Sequence, residues 1–142
     1  MEKTLLFVIA IFLIITCIVS LILINKKNEI IDLKRYNGSY EKYVDKEILG
    51  IDLASLINQV VNENEKNDVQ KNQNGYYIDN GIDSIKIDLK MITIDQTFEM
   101  EDIHNSKISN FVKFFNSIKF KCTDILYHDN GRVSKLIFEE LP

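Results

Sequence analysis

Thr4 to Ile24 is an unbroken apolar run of 21 residues without a charge, proline or glycine. At about 1.5 Å per helical residue it spans roughly 31 Å, the depth of a hydrocarbon core of about 30 Å. The pattern predicts a transmembrane helix and, as partner, a lipid bilayer met through Thr4–Ile24. A cleaved signal peptide has a shorter apolar stretch, about 7–15 residues, and small residues before the cut. A cut after Ser20 would leave Ile18 where a small residue is needed, so the anchor is predicted to stay on the chain. Cys17 follows Thr16 rather than the Gly, Ala or Ser of a lipobox, and apolar residues follow it, so it reads as a helix position. Thr16 and Ser20 share one helix face, the spacing of a small-residue contact between membrane helices.

Beyond the anchor the period changes twice. Ile30, Ile31 and Leu33 among polar residues, then Tyr36, Tyr40 and Tyr43 at i, i+4 and i+7, continue the helix as a stalk, with Gly38 as its weak point. Gly50 is expected to break this stretch and Asp52 to cap the next helix. There Leu53, Leu56, Ile57, Val60 and Val61 form a complete amphipathic stripe. A polar loop, Asn62 to Gly75, is expected to follow. The period then becomes two: Ile85, Ile87, Leu89 and Met91 alternate with Lys86, Asp88 and Lys90 in a half-buried strand. Tyr76–Ile78 reads as a shorter strand joined to it by a turn at Asn80-Gly81, and Thr97–Met100 as a third. Ile108, Phe111, Val112 and Phe115 mark a second amphipathic helix over Asp102–Asn116.

The C-terminal residues read as a β-hairpin. Ile118, Phe120, Cys122 and Leu126 fall on one face of the first strand, Leu136 and Phe138 on one face of the second. A two-residue Asn-Gly loop would set Cys122 against Glu139 and put Phe138 on the wrong face. A three-residue loop, Asp129-Asn130-Gly131, sets Cys122 against Phe138 and aligns the apolar sets, which selects a type I turn with a bulge at Gly131. The sum is an α+β fold in three parts: 1–24 transmembrane anchor, 25–50 helical stalk and linker, 51–142 soluble domain with two amphipathic helices and a small antiparallel sheet.

The net charge of -4 and the lack of a dense Lys/Arg cluster argue against a nucleic-acid partner, whose phosphates need a basic footprint. The 23 Ile, 14 Asn and 15 Lys against 2 Arg match A/T-rich codons, so abundance alone carries little functional meaning. Lys26, Lys27, Lys34 and Arg35 follow the anchor and only Lys3 precedes it, which by the positive-inside rule favours a cytoplasmic domain. That rule weakens for long translocated segments, and a short N-terminal tail before a long domain is the signal-anchor layout. The expected location is therefore the cell membrane, with the domain outside the cell.

Candidate chemistry is sparse. No phosphate loop, HExxH, CxxC or GxSxG occurs. Cys122, His104 and His128 could in principle supply three zinc ligands or a thiol–imidazole pair. Hairpin parity, however, points Cys122 into the core, where a thiol is inert. Asp79-Asn80-Gly81-Ile82-Asp83 mimics a calcium loop, but Ile87 stands where its closing Glu belongs. Glu99, Glu101 and Asp102 suit the start of a helix. The expectation is therefore no catalytic, cofactor or metal residue, and no enzyme.

The segments KEILGIDLASLINQVV, GYYIDN, SIKIDLK and FKCTDILYHDNGRVSKLIFEE resemble uncharacterised small single-pass membrane proteins of low-GC Gram-positive bacteria. That resemblance implies a shared fold and an N-terminal anchor and carries no activity. An apolar helix running into a stalk and then a small sheet is also similar to pilin-type subunits, although no prepilin Gly or Glu stands in Met1–Ile24. The expected function is a membrane-anchored extracytoplasmic binding or assembly module with a protein partner. Its alternatives are a cytoplasm-facing accessory subunit of a membrane complex and a pilin-like surface subunit.

Overall fold

The apolar run and the stalk pattern fold as one helix, α1 (Glu2–Glu41), in a computed structural model that describes residues 2–142. Two compact units divide the chain, Met1–Arg35 and Tyr36–Pro142. In the first, α1 is long and apolar enough to cross a membrane, and side chains such as Phe7 and Phe12 stand bare on its surface. With the backbone N–H and C=O groups between its end turns bonded along its own axis, such a helix needs only an apolar surrounding there.

The second unit is a five-stranded sheet with helices on its apolar face. The chain order is β1 (Glu47–Leu49), α2 (Gly50–Lys66), β2 (Lys86–Met91), β3 (Gln96–Glu99), α3 (Met100–Asn105), α4 (Ile108–Phe115), β4 (Lys119–Tyr127) and β5 (Val133–Glu140). The strands lie in the order β1-β4-β5-β2-β3. The fold is α+β, and the sheet is mixed rather than wholly antiparallel, because β2 and β5 run parallel, Leu89 beside Phe138. Alternation sends Ile87, Leu89, Met91, Phe120, Leu136 and Phe138 to the buried face, where α2 covers them with Leu53, Leu56, Ile57 and Val60. The opposite face carries Lys86, Asp88, Lys90, Lys121, Lys135 and Glu139. Pairs such as Lys135–Asp88 at 2.7 Å and Lys90–Glu139 at 3.5 Å cross its strands.

Tyr36, Tyr40 and β1, which the sequence assigns to the stalk and linker, are built into this second unit. Tyr40 is buried, and the Asn37 amide fills the role of a strand neighbour. It donates to Gly131 O (2.8 Å) and accepts from the Val133 N–H (3.0 Å). Asn64, near the end of α2, does the same at Ile85, donating to its carbonyl (2.7 Å) and accepting from its N–H (2.9 Å). Both amides satisfy backbone groups that no strand reaches.

Several local expectations change. Gly50 opens α2 rather than breaking the chain, and a Cβ there would stand 1.9 Å from Phe115 O, so only glycine fits. Leu49 is the N-cap, and Asp52 lies in the first turn, where its charge suits the helix dipole. The helix runs on through Asn62–Lys66, because Asn64 has its clamp to make. Tyr76–Ile78 is not a strand. The loop folds on itself through a Lys71–Tyr77 bridge, with the Ile78 N–H on Gln70 O. The helix expected over Asp102–Asn116 is two helices, broken where Lys107 takes φ 71°.

At the hairpin, Cys122 does face Phe138, and Gly131 alone in the loop has positive φ (82°), with its N–H on His128 O. Two irregularities offset one another within this ladder, an extra Ser134 on β5 and an extra Thr123 on β4. Between them parity is reversed. Ile125 therefore packs on the core, and Leu126, expected on the Cys122 face, is exposed.

Candidate functional site

The three residues that could have formed a metal or thiol centre sit on separate elements. Cys122 lies mid-strand in β4, fully buried, its thiol 3.5 Å from Asp124 O, and burial pushes its pKa up to about 11. His128 closes the hairpin, with Nε2 2.7 Å from Ser84 O and Nδ1 3.6 Å from Asp79 Oδ1. His104 belongs to α3, and its Nδ1 is buried without a partner. Among the described residues, no three His, Cys, Asp or Glu side chains are grouped as metal ligands.

The acidic segments are occupied by structural tasks. In the Asp79–Asp83 loop, Asn80 Oδ1 accepts the N–H groups of Ile82, Asp83 and Ser84, each at 3.0 Å. Asp79 Oδ1 accepts the Gly81 N–H (2.8 Å), which holds that carboxyl below the usual range, and the Ser84 hydroxyl (3.0 Å). Glu99 and Asp102 form a capping box at the start of α3, with the Glu99 N–H 2.9 Å from Asp102 Oδ2. Asp102 Oδ1 also takes the Tyr76 hydroxyl. Glu101 is buried and accepts the Tyr77 N–H (3.0 Å), with Lys86 Nζ 3.8 Å away. These carboxylates pin the loop before β2 onto α3, a role beyond the helix dipole that no spacing in the sequence announces.

A different feature stands out: an apolar groove of about 320 Å³ where the β2–β3 hairpin meets α3 and α4. Leu89, Met91 and Phe98 form its sheet side, Ile103 its floor on α3, and Phe111, Phe114 and Phe115 its α4 wall, with Ile94 at the hairpin turn. Its size is at the lower end for ligand sites. Local structure explains its shape. The Lys107 break swings α4 out of line with α3, and two turns of α4 bury Phe111 while leaving Phe114 68% exposed. Ile94 (52% exposed) lines the groove from a turn that Glu140 fastens, accepting both the N–H (2.9 Å) and the hydroxyl (2.8 Å) of Thr93.

Each polar residue that lines the groove makes a local hydrogen bond. Asp102 is engaged as above, Ser106 Oγ donates to Ile103 O (3.2 Å), and Asn110 Nδ2 donates to Ser106 O (2.7 Å). The lining is therefore mainly apolar. Sequence reasoning placed Phe111 and Phe115 in the core and passed over Phe114. The signal was available: Phe114 falls off the 108/111/112/115 stripe, so a helix packed by that stripe must expose a phenylalanine.

Comparisons with protein-family models, curated proteins and solved structures find no match to this chain.

Proposed function

We propose that this chain is a membrane-anchored binding or assembly module. Its uncleaved α1 holds the second unit outside the cell, and the groove between β2–β3 and α4 receives an apolar segment of a partner protein. The reading includes no catalysis. The observation that carries it is the groove itself: phenylalanine and isoleucine side chains line a predominantly apolar cleft, with Asp102, Ser106 and Asn110 as its polar members. The exposed Phe114 and Ile94 that line such a cleft present apolar area to water at roughly 25 cal/mol per Å², and docking removes that cost.

The test is photo-crosslinking from position 114. With p-benzoylphenylalanine replacing Phe114 in the full chain in its own membranes, the expected product is a discrete adduct heavier than the 16.5 kDa chain. Recovery of the unmodified chain alone, or of lipid adducts alone, overturns the reading. The same groove serves a cytoplasm-facing accessory subunit, which the Lys26, Lys27, Lys34 and Arg35 flank favours. A C-terminal alkaline phosphatase fusion separates the two, being active only if the domain is outside.

A further inference from the structure

Beside the groove lies an open sheet edge. β3 ends the strand order, and among the described residues no strand lies beyond it. Its ladder with β2 pairs Leu89 with Phe98 and Asp88 with Glu99. The Glu99 N–H turns away from β2 to reach Asp102. In an antiparallel ladder alternate residues point their backbone groups to opposite sides, so the N–H and C=O of Thr97 point off the same edge. Natural edge strands are guarded by lysines, prolines or bulges. β1 at the far edge has Lys46 next to it and the Glu47–Lys119 ion pair on it, whereas β3, Gln96–Glu99, contains no Lys or Pro.

Resting on the binding reading above, we infer that the groove's occupant is an extended peptide segment of a partner protein that adds as a strand to β3, hydrogen-bonding to Thr97. Side chains alternate across a strand, so the residue set opposite Phe98 points with Phe98 into the groove and must be apolar. The flank that meets Asp95 must be basic, because Asp95 adjoins the start of β3 with no ion pair of its own among the described residues, whereas Glu99 at the other end is already paired with Lys86 (3.0 Å). The same arrangement argues against a second copy of this chain. Antiparallel pairing of two β3 strands about Thr97 would set Asp95 of each copy opposite Glu99 of the other, whose carboxylate Lys86 already holds, so Asp95 would meet no counter-charge.

The probe is a phage-displayed library of random heptapeptides panned against the full chain in nanodiscs. The expected enrichment is a central Phe, Leu or Ile with Lys or Arg on the flank that meets Asp95. A synthetic peptide of that pattern should bind at least about fivefold tighter than its version with Glu at the basic position. Thr97→Pro removes the outward N–H at a position where an edge strand accepts proline, so the fold survives while peptide binding drops at least about tenfold. Asp95→Asn keeps a residue suited to the positive φ there (51°) and should erase the preference for a basic flank. No enrichment, or enrichment indifferent to Thr97→Pro, overturns strand addition. If a Phe114 adduct still forms in that case, the groove docks a partner in another way. An adduct between two differently tagged copies identifies that partner as the chain itself, and no adduct at all removes both readings.

Discussion

Asn37 and Asn64 belong to a residue type whose abundance here tracks codon composition, yet each is a buried amide with both ends spent on backbone. Removing one partner of a buried hydrogen bond costs the desolvation of whatever is left unpaired, about 1–3 kcal/mol per group. Asn64→Ala strands both the N–H and the C=O of Ile85 and should destabilise the protein by about 2–4 kcal/mol, read as a lower thermal midpoint of the full chain in detergent. Asn64→Asp keeps an acceptor for the N–H but sets a carboxylate against the Ile85 carbonyl, so it should not rescue. Cys122 supplies a second residue-scale outcome. Its thiol titrates near 9.0 when unfolded and about 11 in the fold, because burial disfavours the thiolate. Between these values the folded state holds a proton that the unfolded state has lost, so stability is full below pH 9 and falls as pH rises toward 11. Tyr36, pushed to about 12 by burial, adds a slope of the same sign only above pH 10. In a Cys17→Ser background, Cys122→Ala should therefore flatten the pH 9–10 part of the stability curve, lessen the slope from pH 10 to 11 and leave the part above pH 11 in place.

Among the elements, those resting on local period were legible and those set by distant contacts were not. The α2 stripe and the Cys122–Phe138 register follow from spacing alone, because one wrong step would turn every apolar side chain to water. The exposure of Leu126 could not be foreseen in the same way: Thr123 and Ser134 are ordinary strand residues, and nothing in their spacing marks the two bulges. The parallel β2–β5 ladder joins segments separated by β3, α3, α4 and β4, a pairing that no local pattern encodes. The groove depends on the α3–α4 break, and lysine is a good helix former with no inherent reason to stop a helix. That break gives an element-scale prediction. Lys107 holds a left-handed φ that costs a non-glycine residue of order 1 kcal/mol. Lys107→Gly should raise stability by about 0.5–1 kcal/mol with the groove unchanged. A loss instead would mean that the Lys107 side chain contributes more than its backbone costs.

At the scale of the whole molecule, the question is where the folding unit begins. Helical period assigns everything before Ile51 to anchor, stalk and linker, whereas contacts start the second unit at Tyr36. The intervening residues supply the buried Tyr40, the Asn37 clamp on Gly131 and Val133, the Tyr43 ring 6.5 Å from Phe138, and β1, which covers one edge of β4. Burying a large side chain contributes about 1.5–3 kcal/mol, and an unpaired buried N–H costs about 1–3. The tyrosine contacts and the Asn37 clamp together therefore approach the 5–15 kcal/mol of net stability typical of a domain. Two fragments separate the alternatives. Tyr36–Pro142 should be soluble without detergent, unfold cooperatively and show dispersed amide resonances. Ile51–Pro142, although it keeps every strand but β1 and every helix after α1 except the first residue of α2, should be collapsed or aggregated, with Cys122 open to thiol reagents near neutral pH. If the shorter fragment folds as well as the longer one, the last turns of α1 are a tether after all and the Asn37 clamp is dispensable. If neither folds, the unit needs the apolar half of α1, and the division at Arg35 does not mark a separable domain.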